Sequence, residues 1–344
     1  MMNSRFSRRH ILKTGAGLAG ALAMPALVSS RVLAQSGTKT INMQLGWLGG
    51  GNQLGEVAAK HMGYFEKEGL NLAIQPGGPS IDGVAIVASG RYEIGQVSSS
   101  PSLMLAASQK IPVKAIGVSA QQHPYAFFSL ASAPINTPQD MIGKKIGIQA
   151  TGKILLSALL KKHNIPESQV EVVVIGADMT PLATGQVNAV TGWLTNTTAI
   201  AGVGQPVVAM KMWDHGVQLY ANPYYTTSDM LQKDPEALDG FFRAAGKGWE
   251  YANSNREAAV DLLIKEFPNL VKKDELAAAE IMLAHVFTEA TKKNGWATFD
   301  PANWAEQIKL YDELGQFSAG APALDDVIST AVLDATAADR PKIG

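Results

Sequence analysis

Ile41-Asn42-Met43-Gln44-Leu45 alternates apolar and polar residues and then runs through Gly46-Trp47 into the turn Gly49-Gly50-Gly51. A period of two closed by glycine predicts a strand and a loop. Apolar residues at Leu54, Val57, Ala58 and Met62 then follow a helical spacing that stops at Gly63. Leu70-Asn71-Leu72-Ala73-Ile74 is a second strand, closed by Pro76-Gly77-Gly78-Pro79. Ile81 to Ser89 is helical with Gly90 as its C-terminal stop, and Glu93 to Val97 is a third strand. Ser98-Ser99-Ser100-Pro101 opens another helix, and Val113 to Val118 is a fourth strand. Strand and helix in alternation imply a parallel sheet covered on both faces.

A second α/β unit starts near Tyr125. Ala126 to Leu130 and Lys145 to Ile148 read as strands, with Thr137-Pro138-Gln139-Asp140 as a capping box between them. Thr151-Gly152 opens a helix from Ile154 to Lys162, and Val170–Ile175, Ala189–Trp193 and Pro206–Met210 are further strands. After Asp229 the texture changes: Pro235–Ala252, Arg256–Glu266, Asp274–Lys293 and Pro301–Phe317 all show helical periodicity. The expected architecture is α/β, with two lobes and a helical C-terminal segment.

The N-terminus addresses the chain. Ser7-Arg8-Arg9-His10-Ile11-Leu12-Lys13 reads as a twin-arginine export signal. It precedes 17 uncharged residues and a small-residue cleavage site, Val32-Leu33-Ala34 before Gln35. Residues 1–34 are therefore expected to be removed and the mature chain to reside in the periplasm. Gly15-x-Gly17-x-x-Gly20 matches a dinucleotide fingerprint but lies in this leader with no strand before it, and so carries no weight. Composition excludes other classes. With no Cys there is no disulfide, thiolate nucleophile or Cys-ligated zinc. A net charge of -1, with Arg91 the only arginine between Val32 and Phe242, gives no field for nucleic acid. His61, His163, His215 and His285 stand singly, so no metal is expected. No cofactor motif is visible.

Three stretches resemble the periplasmic solute-binding proteins of ABC transporters, in the branch that binds thiamine pyrimidine precursors, alkanesulfonates, taurine and nitrate. One is Leu45-Gly46-Trp47 with Gly63-Tyr64-Phe65-Glu66-Lys67-Glu68-Gly69-Leu70. Another is Ala88-Ser89-Gly90-Arg91-Tyr92-Glu93-Ile94-Gly95, and the third is Thr137 to Ile148. The resemblance implies a two-lobed type II periplasmic binding protein fold, each lobe a mixed or parallel sheet flanked by helices. Residues 35–122 with 219–344 would form one lobe and 123–218 the other, joined near Gln122-His123-Pro124 and Val217-Gln218-Leu219-Tyr220. It implies a monomeric receptor that closes on a small solute and delivers it to an inner-membrane permease with a cytoplasmic ATPase. A ligand-presenting sensor is the alternative within this reading. An exported enzyme fits less well, since the pyrimidine-synthase relatives carry a Cys-rich motif and this chain has none.

In open α/β sheets the binding crevice lies at the carboxyl ends of the strands. That rule, with the resemblance, selects Trp47, Asn52, Gln53, Ser98, Ser99, Ser100, Gln121, Gln149, Thr151, Gly152, Trp193, Asn196 and Tyr220 as candidate ligand residues. An indole stacks on a heteroaromatic ring or covers an alkyl chain, while hydroxyls and amides at helix starts receive a carbonyl or an anion. Aromatic faces with neutral polar groups and no arginine favour an aromatic or N-heterocyclic solute. Where the thiamine-precursor branch shows Asp-Trp, this chain has Gly46-Trp47, which speaks against a pyrimidine. A sulfonate or taurine-like anion held by helix N-termini is the second choice.

Overall fold

The computed structural model describes residues 38–78, 81–149, 152–176 and 178–344. The twin-arginine stretch, the cleavage site and Thr151 lie outside them.

The first half of the chain lays down β1 (Lys39–Leu45), α1 (Leu54–His61), α2 (Tyr64–Lys67), β2 (Leu70–Gln75), α3 (Gly83–Ala88), β3 (Ile94–Gln96), α4 (Pro101–Ser108) and β4 (Val113–Ala120). The second lobe follows with β5 (Tyr125–Leu130), β6 (Lys145–Ile148), α5 (Lys153–Lys162), β7 (Glu171–Val174), α6 (Thr180–Ala183), β8 (Ala189–Trp193), α7 (Thr197–Ala201) and β9 (Val207–Lys211). The chain then returns through β10 (Ala221–Thr227) into α8 (Ser228–Lys233), α9 (Pro235–Ser254), α10 (Arg256–Glu266), α11 (Lys272–Val286), α12 (Glu289–Asn294), α13 (Pro301–Glu313), α14 (Leu324–Val327) and α15 (Ala331–Ala335).

Two five-stranded sheets result, ordered β2-β1-β3-β10-β4 and β7-β6-β8-β5-β9. β1 is parallel to β2 and β3, and β6 is parallel to β7 and β8. Each sheet has one strand set against its neighbours: β10 in the first and β5 in the second. These are the strands that enter a lobe from the other one. A strand starting where its predecessor ended must run back the other way, so a mixed sheet in each lobe follows from the two links, residues 121–124 and 212–220.

The return strand β10 had no alternating signature. Tyr224 and Tyr225 are both fully buried although adjacent, because β10 lies inside the sheet with helices on both faces: Tyr224 packs on Phe241 and Phe242 of α9, and Tyr225 lies against Gly83 of α3 and Gly95. Asp274–Lys293, expected as one helix, is two. Phe287 and Thr288 are extended, and Thr288 caps α12 by accepting from the Ala290 amide at 3.3 Å. The Thr137–Asp140 capping box forms as read, with the Asp140 carboxylate accepting from the Thr137 amide at 2.9 Å, but it closes only a 3₁₀ turn.

The long helix α9 carries the first lobe. Its inner face buries Phe241, Phe242 and Trp249, and burial on this scale contributes about 2 kcal/mol per side chain. It packs on α1 almost backbone to backbone: a Cβ on Gly248 would stand 2.0 Å from the Gly55 carbonyl oxygen, and one on Gly55 would stand 2.2 Å from the Trp249 ring.

Candidate functional site

The parallel strands of both sheets end where the two links run, and the loops after them are laced onto those links. Ser98, Ser99 and Ser100 lie along the return link: Ser99 bridges Ala221, the Asn222 amide donates to the Ser98 carbonyl at 3.2 Å, and the Ser100 amide donates to the Tyr220 carbonyl at 3.1 Å. On the second lobe the Leu194 amide donates to the Pro124 carbonyl at 2.9 Å. The start of α5 presses on Tyr125 so closely that a Cβ on Gly152 would stand 2.2 Å from the tyrosine hydroxyl. Only glycine admits that approach.

This seam collects buried polar groups that make no hydrogen bond of normal geometry. They are the Ser99 hydroxyl, the Asn222 side-chain amide nitrogen and both ring nitrogens of His123, while the Tyr125 and Thr191 hydroxyls have only each other within reach. Asn222 also holds a left-handed backbone, with φ 51°. Folded proteins pair nearly all their buried polar atoms; other exceptions include the Tyr311 hydroxyl and the indole nitrogens of Trp249, Trp296 and Trp304, and these ones stand out for lying on the loops and strands beside the links. The His123 ring meets Trp193 edge-on at 5.0 Å and Tyr125 at 6.0 Å. Burial first, and the neighbouring His285 second, hold the His123 imidazole down to about 3, so it is neutral. Burial pushes the Tyr125 hydroxyl up to about 12, with the Thr191 hydroxyl offsetting part of the effect.

Nearby, a cavity of about 120 Å³ brings Asn52 of the first lobe and Asn196 of the second together over α11, with Thr195 and Met282 completing its wall. Its one charged lining group is Glu275, whose carboxyl burial raises. A larger groove of about 690 Å³ lies between the end of α5 and α13, lined by residues such as Lys161, Gln218, Asn303 and Glu306. It contains neither an expected ligand residue nor a buried group without a partner, so the seam, not the larger hollow, is the candidate site.

The expected residues divide by environment. Trp47 is 48% exposed on the loop after β1, its carbonyl accepting from the Gly77 amide. Asn52, Ser98, Ser99, Gln149 and Trp193 are half-buried and Asn196 is exposed, all on the loops that end the strands. Four others already bond within the protein. The Gln121 side chain donates to the Thr298 carbonyl at 2.7 Å. The Ser100 hydroxyl donates to Gln307 at 2.5 Å. The Tyr220 hydroxyl accepts from the Asp300 amide at 2.8 Å. Gln53 donates to Gln96 at 2.6 Å.

Gln53 heads a buried polar chain that sequence reasoning missed. Gln96 donates onward to Glu56 at 3.2 Å, and the Tyr224 hydroxyl donates to the same carboxyl oxygen. Glu56 is fully buried, and its second oxygen has no partner. Burial raises this carboxyl to about 7 against the opposing hydrogen bonds of Tyr224 and Gln96. Also missed were His123, read only as part of a link, and Thr191, an ordinary strand residue by pattern. Among the described residues no helix is long and apolar enough to cross a membrane, and no group of three His, Cys, Asp or Glu could hold a metal.

The family model described as NMT1/THI5 like matches residues 51–259, more than half of the chain. The formylaminopyrimidine-binding protein of Halalkalibacterium halodurans is 24% identical over 287 residues, 80% of this chain and 85% of the relative. The 4-amino-5-hydroxymethyl-2-methylpyrimidine phosphate synthase of Legionella pneumophila is 25% identical over 69% of this chain and 77% of its own length. Among solved structures, the periplasmic aliphatic sulphonate binding protein SsuA from Escherichia coli superposes with a TM-score of 0.67 at 15% identity, covering 85% of this chain and 92% of its own. The fold is that of the periplasmic binding proteins.

Proposed function

The chain belongs to the NMT1/THI5-like family, and from that premise we propose that it is an extracytoplasmic solute receptor of an ABC importer. A small organic solute enters between the lobes, the links 121–124 and 212–220 flex, and the lobes close on it. The closed form docks on an inner-membrane permease, and ATP hydrolysis in a partner chain drives release. Residues 1–34 would direct export to the periplasm by the twin-arginine route, with residues 35–122 and 219–344 moving against 123–218. The monomer is the working unit.

The observation that carries this reading is the seam of buried polar groups between the lobes: Ser99, Asn222 and His123 without a partner, and Tyr125 and Thr191 with only each other. A receptor for a small solute needs such a set, unmet until the solute arrives. Trp193 and Trp47 supply the aromatic faces, with Asn52, Asn196, Ser98, Gln149 and Gly152 at the rim.

An aromatic or N-heterocyclic solute, thiamine-precursor-like, fits these groups best. They are neutral donors and acceptors beside indole and phenol rings, and Glu275 is the charge in the small cavity. The formylaminopyrimidine-binding relative points the same way. An alkanesulfonate is the second reading, favoured by the likeness to the sulphonate-binding protein and by amides at the start of α5. Some relatives are named synthases, but this chain offers no thiol and no nucleophile–base pair.

Native mass spectrometry of residues 35–344, purified from the exported form, tests the proposal. A stoichiometric heterocycle released on denaturation is the expected result. A sulfonate keeps the receptor and replaces the ligand class. An empty protein whose melting temperature no candidate solute raises overturns the receptor.

A further inference from the structure

His123 is 3% exposed, and neither ring nitrogen has a partner. Its backbone surroundings are nevertheless fixed from both lobes. The Gln121 and Gln122 amides donate to the His285 carbonyl of α11, the Leu194 amide donates to the Pro124 carbonyl, and the Met212 amide donates to the Tyr125 carbonyl. The frame is satisfied and the ring is not. Leaving both a donor and an acceptor unmade in a buried site is costly, and no contact of His123 within the protein repays it beyond edge-on packing against Trp193 and Tyr125.

Resting on the receptor reading above, we propose that His123 sets the charge class of the solute. Its neutral imidazole presents one donor and one acceptor to an uncharged heterocycle. An anionic solute, having acceptors only, binds together with one proton that the imidazole takes from solvent.

The groups around the ring agree with this assignment. From β5 it meets the Tyr125 phenol and from β8 the uncharged Trp193, while His285 of α11 is the titratable neighbour that acts on it, lowering its proton affinity further. The Nδ1 of His285 is turned to the Ile281 carbonyl at 2.8 Å, and Lys211 and Asp214 act on His285 with opposite signs. No carboxylate acts on His123 to stabilise its charged form. The two imidazole nitrogens point to opposite sides of the ring, so a heterocycle meets one of them with a ring nitrogen or an amino group and a second polar group of the solute meets the other; a sulfonate, an acceptor only, meets the N–H alone.

The test titrates two probes, 4-amino-5-hydroxymethyl-2-methylpyrimidine and ethanesulfonate, by calorimetry between pH 7 and 9 on the wild type, His123→Phe and His123→Gln. The expected pyrimidine Kd is flat with pH in the wild type, about tenfold or more weaker in His123→Phe, and largely recovered in His123→Gln, which restores a donor and an acceptor. Any ethanesulfonate binding weakens by up to about tenfold per pH unit, the signature of one proton taken up. Ligand-free His123→Phe melts at or above the wild-type temperature, because it removes a buried group with no partner.

The proposal is overturned if His123→Phe binds the pyrimidine as well as wild type does, if ethanesulfonate binding is independent of pH, or if ligand-free His123→Phe melts several degrees lower. Should neither probe bind the wild type, the receptor reading for these two chemistries falls, and the ligand-free melting of His123→Phe still decides whether the ring has a structural role.

Discussion

Glu56→Gln isolates one buried proton. In the folded protein the Glu56 carboxyl is raised from 4.5 to about 7, chiefly by burial. In the unfolded chain it titrates near its ordinary value. Between those two pH values the folded protein holds a proton that the unfolded chain has lost. The contribution of Glu56 to stability is therefore complete below about pH 4.5, declines as pH rises, and has fallen by about 3 kcal/mol above pH 7. Glutamine has the shape of the protonated acid. It keeps an oxygen for Tyr224 and Gln96 and offers an amide where the second carboxyl oxygen has no partner. At pH 5 the variant and the wild type should melt within a degree or so of each other. By pH 8 the variant should melt about 6 °C higher, at roughly 2 °C per kcal/mol for a domain of this size. Differential scanning calorimetry at pH 5, 6, 7 and 8 reads the gap. Asp239 and Glu275 are also raised by burial, but they are present in both proteins and cancel in the difference. A gap that stays constant with pH, or a variant less stable at pH 8, would refute the assignment of a buried neutral carboxyl.

Other substitutions probe separate links. Trp47→Ala should weaken solute binding by about tenfold in calorimetry, if the indole stacks on the solute as proposed, while leaving the melting temperature within a degree, because the indole is 48% exposed. Gly152→Ala should lower both solute affinity and melting temperature, since its Cβ would stand 2.2 Å from the Tyr125 hydroxyl and push α5 off the seam; unchanged urea midpoint and affinity would place α5 elsewhere. Gly248→Ala should cost about 2–3 kcal/mol in urea unfolding through overpacking between α9 and α1, with solute affinity unchanged in the surviving fold. Arg8→Lys with Arg9→Lys should leave the full-length chain in the cytoplasm, read by fractionation and immunoblot, whereas normal export would remove the twin-arginine reading.

The lobes were legible because their strands and helices are patterned locally. Ile41 to Leu45 shows its period of two, Gly63 and Gly90 sit with φ near 70–75° at helix ends as read, and each βα unit repeats the arrangement. What pattern cannot show is a strand's place in the sheet or a distant partner. Tyr224 and Tyr225 look like a crowded link, and only the place of β10 inside the sheet, covered by helices on both faces, buries both rings. Gln53, Ser100, Gln121 and Tyr220 have the chemistry of ligand residues. Their nearest partners, Gln96, Gln307, Thr298 and Asp300, lie far along the chain, so their engagement is invisible before folding.

The same reasoning runs in reverse at the seam and gives the ligand residues a physical criterion. A polar side chain that folding has already paired offers a solute little, because each hydrogen bond gained breaks one already made. One that folding leaves buried and unpaired offers the full difference between an unmade and a made bond. By that measure the affinity of the proposed receptor would reside in Ser99, Asn222 and His123 more than in the amides that sequence singles out. The indoles of Trp47 and Trp193 would then supply orientation and exclude water. Because Ser99 and Asn222 belong to the first lobe, His123 to the first link and Tyr125 and Thr191 to the second lobe, a solute that meets them all would do so only with the lobes together, and the pairing itself would favour the closed state.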